Sequence, residues 1–209
     1  MNISGNYNTH EREIYIVKRI LDATNIRYTN VEKCLNADEC DVLVYIENHQ
    51  TPISVEIKEE NYNRFNRYGD LGIDYLSAFQ FKNSSSSNIW YGVRPASADL
   101  LMDFENSIDI LKMGKIYYSE ADLWLFYCLD DADDLYYHSW FLGTDMVSDE
   151  FKDYLRNNCL FAVNNKPNTQ MSRHDHHESA VFYINKNDDF LVSLQILDIR
   201  EKLREWGYL

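Results

Sequence analysis

The stretch that decides the expected fold is residues 41–58, which read DVLVYIENHQTPISVEIK. Its two ends, residues 41–47 and 53–58, are rich in valine and isoleucine, which favour β-strands. The polar residues between them include Pro52, and a polar segment with a proline between two such runs is typical of a turn. The sequence therefore predicts a β-hairpin at this position.

The second strand of this hairpin ends in an acid and an amine. Side chains alternate along a strand, so Glu56 and Lys58 point to one face and Ile57 to the other. Asp41 lies at the start of the partner strand. Two carboxylates and a lysine in this pattern are suited to holding a divalent cation and positioning a water molecule. The alternative is a solvated ion pair on an exposed strand.

Hydrolysis of a phosphodiester would give each of these three residues a role. A divalent cation must screen the phosphate, carboxylates must hold that cation, and a further group must orient the attacking water. Magnesium prefers a few hard oxygen ligands and retains several waters, and Asp41 and Glu56 meet that need. Lys58 would orient or activate the water, or stabilise charge that develops on the phosphate. We therefore expect Mg²⁺ or Mn²⁺ as the cofactor.

An acid on one strand followed by Glu-x-Lys on the next resembles the PD-(D/E)xK nuclease superfamily. The resemblance is carried by the 15-residue spacing of Asp41 and Glu56, by the hairpin between them and by the helical apolar pattern of residues 14–21. Cys40 stands where a proline is usual. The resemblance implies an α/β, restriction-endonuclease-like fold, with a mixed central sheet of about five strands flanked by helices. It also implies a metal-dependent endonuclease whose expected substrate is DNA.

Two further residues, Glu13 and Asp74, are candidate metal ligands, and Asp74 could instead be a group that supports Lys58. Some members of the superfamily use a glutamate of the first helix, and Glu13 is the candidate here. Residues 70–79 alternate in polarity, and we interpret them as a third strand of the same sheet with Asp74 on its polar face. The alternative for Asp74 is a solvent-facing strand edge.

A looser resemblance to small bacterial and phage members covers residues 56–130. These members carry a Gly-x-x-x-x-acid strand and then an (S/T)-x-A-D-(Y/L)-W helix start, similar to residues 68–74 and 118–124 here. The resemblance implies that Asp122 is structural or adjacent to the site. Residues 83–115 would then be an insertion within a single domain that spans the whole chain.

Basic and aromatic side chains follow the hairpin directly. Arg64 and Arg67 alternate with Tyr62, Phe65 and Tyr68 in a segment that we expect to be a loop. Such a loop would suit contacts with the phosphates and bases of a substrate. The alternative is that its aromatic rings fold back onto the sheet.

A further substrate contact is expected from Arg173, which lies in a long polar segment with His174, His176 and His177. Zinc binding by the histidines is the other interpretation, but neighbouring loop histidines lack a fixed geometry and no cysteine is near. The third interpretation is a plain surface loop.

The composition is that of a folded protein outside the membrane. The chain has 209 residues, of which 45% are hydrophobic. No apolar run approaches the length of a membrane span, and the first residues lack a basic region followed by an apolar run. We therefore expect a cytoplasmic protein with no membrane contact. The four cysteines show no metal-binding spacing and are expected to be reduced and partly buried.

The net charge of −14 opposes tight, non-specific binding to DNA, which depends on lysine and arginine. Residues 119–153 hold ten acids and one base, a local charge of −9. Two alternatives to a nuclease follow. One is a nuclease-fold protein that binds nucleic acid without cutting it. The other is an acidic inhibitor that competes with nucleic acid for a basic partner, and a homodimer or another protein partner fits either.

Overall fold

The computed structural model describes residues 9–36, 39–83, 87–164 and 178–209. The helices are α1 (Thr9–Ala23), α2 (Tyr62–Tyr68), α3 (Ser87–Trp90), α4 (Ala98–Asn106), α5 (Gly143–Met146), α6 (Asp149–Asn158), α7 (Asp189–Leu194) and α8 (Ile199–Glu205). The strands are β1 (Tyr28–Lys33), β2 (Val42–Ile46), β3 (Ile53–Glu60), β4 (Asp70–Phe81), β5 (Gly92–Pro95), β6 (Ile108–Met113), β7 (Leu123–Leu129), β8 (Leu135–Leu142), β9 (Leu160–Asn164), β10 (Glu178–Asn185) and β11 (Gln195–Ile196).

These elements divide into two compact units. The first comprises the described residues of Met1–Gly69, Ser119–Met146 and Asp189–Leu209, and the second those of Asp70–Tyr118 and Val147–Asp188. The segment 83–115, which the sequence predicts to be an insertion, lies within the second unit. The chain passes from one unit to the next between adjacent residues, without a polar linker, so composition alone shows no boundary.

A mixed sheet of six strands forms the centre of the first unit, in the order β1-β2-β3-β7-β8-β11. Its neighbouring strands are antiparallel except β3 and β7, which are parallel. Parallel neighbours need a crossover connection, and the chain between β3 and β7 includes α2 and the first segment of the second unit. A mixed sheet with helices confirms the predicted α/β class.

Helix α1 covers one face of this sheet with its apolar side. Ile16, Val17, Ile20 and Leu21 recur at helical spacing and are at most 3% exposed. They share one apolar cluster with alternate strand residues: Val42, Val44, Ile46, Ile53, Val55, Ile57, Leu123, Leu125, Tyr127 and Leu129. The predicted first helix is confirmed.

Strands β2 and β3 form the predicted hairpin. Val42 pairs with Val55 and Val44 with Ile53. In the turn, Asn48 has a φ of 68°, a left-handed conformation that asparagine tolerates better than most residues. The hairpin thus has the local sequence that its turn requires.

The prediction of a third strand in this sheet is wrong. Residues 70–79 do lie in a strand, but β4 belongs to the antiparallel sheet of the second unit, whose order is β5-β9-β10-β4-β6. Helix α2 separates β3 from β4 and ends at Gly69, which has a φ of 70°. Because α2 lies between the two strands, no short turn connects β4 to β3 as an antiparallel neighbour. β4 pairs with β10 and β6 instead.

Two local predictions next to the hairpin are also corrected. Residues 61–69, expected to be a loop, contain α2, which begins where the Asn61 side chain accepts a hydrogen bond from the Arg64 amide. Residues 119–122, expected to start a helix, lead directly into β7. The Asp122 carboxylate accepts hydrogen bonds from Ser54 on β3, and it therefore links two strands instead of capping a helix.

Helix predictions in the second unit are confirmed for α6 and corrected for α4. The Ser148 hydroxyl accepts a hydrogen bond from the Phe151 amide at the start of α6, as its sequence predicts. The pattern of residues 98–112 predicts one long helix, but α4 ends at Asn106. Beyond it the chain pairs with β4 as strand β6, because isoleucine-rich residues 108–113 gain more from sheet pairing than from extending a helix.

The four cysteines are free and buried, which confirms the prediction of thiols without disulfides. Burial, with smaller contributions from the charges of Asp188 and Asp70, raises the pKa of Cys159 to about 12. A thiol is reactive as the thiolate, so this cysteine has low reactivity near neutral pH.

Within the described ranges, no helix has both the length and the apolar character needed to cross a bilayer.

Gly143 is a position at which the fold leaves no room for a side chain. Its amide donates to the Asp122 carbonyl at 2.8 Å, and a Cβ at Gly143 would overlap the carbonyl oxygen of Ala121. Because main-chain atoms cannot rotate away, we expect Gly143→Ala to lower the free energy of unfolding by about 3 kcal/mol. The melting temperature should fall by roughly 6–12 °C, as measured by circular dichroism. Thr144→Ala at the exposed neighbour is the control, and equal melting temperatures for the two variants would contradict this packing.

Candidate functional site

Strand β3 presents two chemically different faces. Ile53, Val55 and Ile57 point into the apolar cluster beneath α1. The alternation of a strand places Glu56 and Lys58 on the opposite face. The two residues of the Glu-x-Lys motif are therefore side by side, as the sequence predicts.

Glu56 and Lys58 form an ion pair that is largely removed from water. Lys58 Nζ lies 3.0 Å from Glu56 Oε1, and the two side chains are 17% and 1% exposed, respectively. Lys58 Nζ also lies 5.8 Å from the centre of the Trp124 ring, within the range of a cation–π contact. A carboxylate buried to this extent requires a compensating charge or hydrogen bonds, and Lys58 supplies the charge.

The Asp41 carboxylate contacts β3 at the residue between Glu56 and Lys58. Its Oδ2 accepts a hydrogen bond from the Ile57 amide at 2.7 Å, and its own amide donates to the Val55 carbonyl at 3.0 Å. Asp41 stands one residue before β2, so its side chain continues the hydrogen bonding of the hairpin where the backbone pairing stops. The structure thus brings Asp41 to the residue between Glu56 and Lys58.

The parallel neighbour β7 fixes what lies beside this motif. Glu56 pairs in register with Trp124 and Lys58 with Phe126, and every residue of β7 is buried. Asp122 Oδ2 accepts from the Ser54 amide at 2.8 Å and from its hydroxyl at 2.7 Å. The Ser54 hydroxyl in turn accepts from the Asp122 amide at 2.9 Å. Asp122 therefore has the structural role that the second resemblance allowed.

A separate charged group lies on the helix-covered side of the sheet. Tyr127 donates to Glu59 Oε2 at 2.9 Å, and Arg12 Nη2 lies 2.7 Å from Glu59 Oε1. Burial raises the pKa of Tyr127, and Glu59 raises it further, so the phenol remains a hydrogen-bond donor. Glu13 also raises this pKa, which places Glu13 near Tyr127. Its predicted role as a metal ligand stays a prediction.

The other predicted site residues are spread over the chain. Asp74 lies on β4, in the second unit. Arg64 and Arg67 lie on α2, with their guanidinium carbons 5.5 and 5.0 Å from the Tyr68 ring. Arg173 and the histidine segment 174–177 lie outside the described residues. Glu56 and Lys58 are in direct contact, and the Asp41 carboxylate is hydrogen-bonded to the backbone of the residue between them.

A search of the described ranges finds no group of three or more histidine, cysteine, aspartate or glutamate side chains arranged to hold a metal ion. The four predicted ligands, Asp41, Glu56, Glu13 and Asp74, are therefore not gathered into such a group, and the pair Asp41 and Glu56 would need waters as its remaining ligands.

Trp124 is the functional neighbour that sequence reasoning missed. The second resemblance ends in this tryptophan, two residues after Asp122, and it predicts a helix start at a position where the chain forms β7. A fully apolar run from Leu123 to Leu129 is typical of a strand buried on both faces. Treating that run as the parallel partner of β3 would have placed the indole ring beside the motif.

No protein-family model, curated protein or solved structure matches this chain.

The ion pair predicts a specific pattern of stabilities. Lys58→Met leaves the Glu56 carboxylate buried without its cation, and we expect it to lower the free energy of unfolding by about 2–3 kcal/mol. Glu56→Gln in the Lys58→Met background removes the uncompensated charge and should recover at least about 1 kcal/mol. Urea unfolding in EDTA measures the wild type and both variants without interference from metal.

Lys33→Met on the exposed edge strand β1 is the matched control, with an expected change within about 0.5 kcal/mol. A double variant less stable than Lys58→Met alone would show that Glu56 does not depend on Lys58.

Proposed function

We propose that this chain is a metal-dependent nuclease of the PD-(D/E)xK kind, which hydrolyses phosphodiester bonds in nucleic acid, with DNA as the expected substrate. Asp41 and Glu56 would hold Mg²⁺ or Mn²⁺, and Lys58 would act on the attacking water. The restriction-endonuclease-like fold is part of the proposal. Its support is the order of elements: a helix, then a hairpin with the acid before one strand and Glu-x-Lys on the next, in a mixed sheet.

One observation carries this proposal. The Asp41 carboxylate is hydrogen-bonded to the backbone of Ile57 at 2.7 Å, the residue between Glu56 and Lys58. Asp41 precedes Glu56 by 15 positions and Lys58 by 17. Its carboxylate nevertheless reaches the stretch of β3 that carries both residues. An incidental surface ion pair would need neither the hairpin register nor the third residue.

The donor set fits a hard divalent cation. Asp41 uses Oδ2 for Ile57, and no described residue donates a hydrogen bond to its Oδ1. Glu56 contributes a second carboxylate, and both supply the hard oxygens that Mg²⁺ prefers. When bound, such a cation would screen the phosphate and lower the pKa of a coordinated water.

The protein itself contributes positioning and charge. Asp41 is held by the Ile57 amide, and Glu56 is held among buried residues of β3 and β7. Lys58 carries its ammonium next to Glu56 and against Trp124. From there it can donate to a water or to a phosphate oxygen on which negative charge grows, and such preorganised donors supply large rate enhancements.

Binding without cleavage is the second candidate, and the Glu56–Lys58 ion pair is what favours it. At 3.0 Å the Lys58 ammonium partly neutralises the Glu56 carboxylate, which lowers the affinity of Glu56 for a metal ion. The acidic-inhibitor alternative has less support, because part of the acidic segment is paired inside the chain. Asp134 lies 3.0 Å from Arg19 and Asp133 lies 4.0 Å from Arg12.

The test uses supercoiled plasmid and circular single-stranded DNA with Mg²⁺, Mn²⁺ or EDTA. We expect cleavage in either metal and none in EDTA. Asp41→Asn keeps an oxygen that can accept from Ile57 but removes the charge, and it should slow cleavage at least about 100-fold; Lys58→Met should do so by a similar factor. Gel electrophoresis over time measures both rates.

Asp103→Asn on the exposed side of α4 and Lys33→Met are the matched controls, and both should cut at the wild-type rate. Binding of the metal is measured separately, as a rise in melting temperature with Mn²⁺ that Asp41→Asn abolishes. Cleavage that survives Asp41→Asn and Lys58→Met would place the chemistry elsewhere. Failure to cut in any metal, with nucleic acid still bound, would establish the second candidate.

A further inference from the structure

We propose that helix α2 and the start of strand β8 form a base-stacking surface, made of Tyr62, Tyr68 and Tyr136 with Arg64 and Arg67, that selects single-stranded nucleic acid. This inference rests on the proposed function and adds to it the strandedness of the substrate.

The base-stacking surface follows the Glu-x-Lys motif in both sequence and space. Tyr62 comes four residues after Lys58, and α2 begins directly after β3 and Asn61. Glu60, at the end of β3, pairs with Cys128, which pairs with Tyr137 on β8. The start of β8 and the end of β3 therefore lie at the same end of the sheet, with only β7 between the two strands.

Tyr136 is an exposed ring held in a fixed orientation. It is 49% exposed, and its ring meets that of Tyr62 edge-on, at 5.3 Å and 87°. The ring of Phe65, which is 1% exposed, packs against the Tyr136 ring with their centres 6.3 Å apart. The Tyr136 hydroxyl donates to Asn66 Oδ1 at 3.3 Å. A ring that is already ordered loses little conformational freedom when a base stacks on it.

Tyr68 offers a second aromatic position, combined with positive charge. It is 50% exposed, and the guanidinium groups of Arg64 and Arg67 lie 5.5 and 5.0 Å from its ring centre. A guanidinium group on an aromatic ring can stack against a base and donate to a phosphate. Tyr68 and its arginines can therefore contact both the bases and the backbone of one strand.

The charge around this surface favours single strands over duplex. The turn before β8 carries Asp130 and Asp131, and partial burial, together with the charges of these two residues, raises the pKa of Tyr62. A duplex presents two rows of phosphates and hides its bases, so its binding depends on lysine and arginine side chains. In this chain acids outnumber them, 34 to 20. A single strand presents its bases, and their stacking needs no net positive charge.

The test measures binding in EDTA, so that cleavage cannot interfere. Fluorescence anisotropy compares a labelled oligothymidine of roughly 20 nucleotides with a duplex of equal length, at about 50 mM salt. We expect the single strand to bind at least about 10-fold more tightly. Tyr136→Ala should weaken that binding roughly 5- to 100-fold, Arg67→Gln should weaken it less, and Tyr136→Phe should retain it.

Tyr15→Ala is the matched control, because Tyr15 on α1 is 43% exposed and lies outside the proposed surface. It should bind like the wild type, and melting temperatures establish that each variant is folded. Equal or tighter binding of the duplex, or equal losses in Tyr15→Ala and Tyr136→Ala, would overturn the inference.

The binding and cleavage results separate this inference from the proposed function. Metal-dependent cleavage without a single-strand preference would overturn the inference and leave the proposed function standing. Tyr136-dependent binding of single strands without cleavage in any metal would overturn the proposed function and leave the inference standing.

Discussion

The parallel pairing of β3 with β7 is the constraint on which the first unit depends. Three hydrogen bonds between Ser54 and Asp122 join the beginnings of the two strands and set their register. That register puts Trp124 beside Glu56 and allows its ring to contact Lys58. A slip by one residue would turn the Glu-x-Lys side chains into the apolar cluster beneath α1. The placement of the candidate-site side chains thus depends on the polar contact between Ser54 and Asp122, which lie two residues before Glu56 and Trp124.

Charge is arranged on two sides of the same sheet. On the helix-covered side, Arg12 binds Glu59 and lies near Asp133, while Arg19 binds Asp134. These pairs use cations of α1 to hold an acidic turn, and exposed pairs of this kind add little stability each. On the other side, Glu56 is buried, and its ion pair carries a much larger penalty if one partner is lost. The strongest electrostatic constraint in the unit is therefore at the candidate site.

The two proposals share one strand of the molecule. β3 ends in the Glu-x-Lys motif, and the next element, α2, carries the rings and guanidinium groups of the base-stacking surface. An acidic protein gains little from long-range attraction of phosphates, so contacts with bases next to the site would take over that role. The carboxylates of Asp130 and Asp131, whose charges reach Tyr62, would then repel the phosphates of a duplex and still allow a base to stack.

The sequence by itself determined the elements whose signals are local. The hairpin, the apolar face of α1, the serine cap of α6 and the adjacency of Glu56 and Lys58 follow from side-chain periodicity and turn chemistry, which neighbouring residues specify. Only the tertiary structure decided which strand pairs with which. It placed β4 in a second sheet, made β7 the partner of β3 and brought Trp124 to Lys58. Those pairings join residues far apart in the chain, and their free energy comes from burial and register between distant segments, which no local pattern encodes.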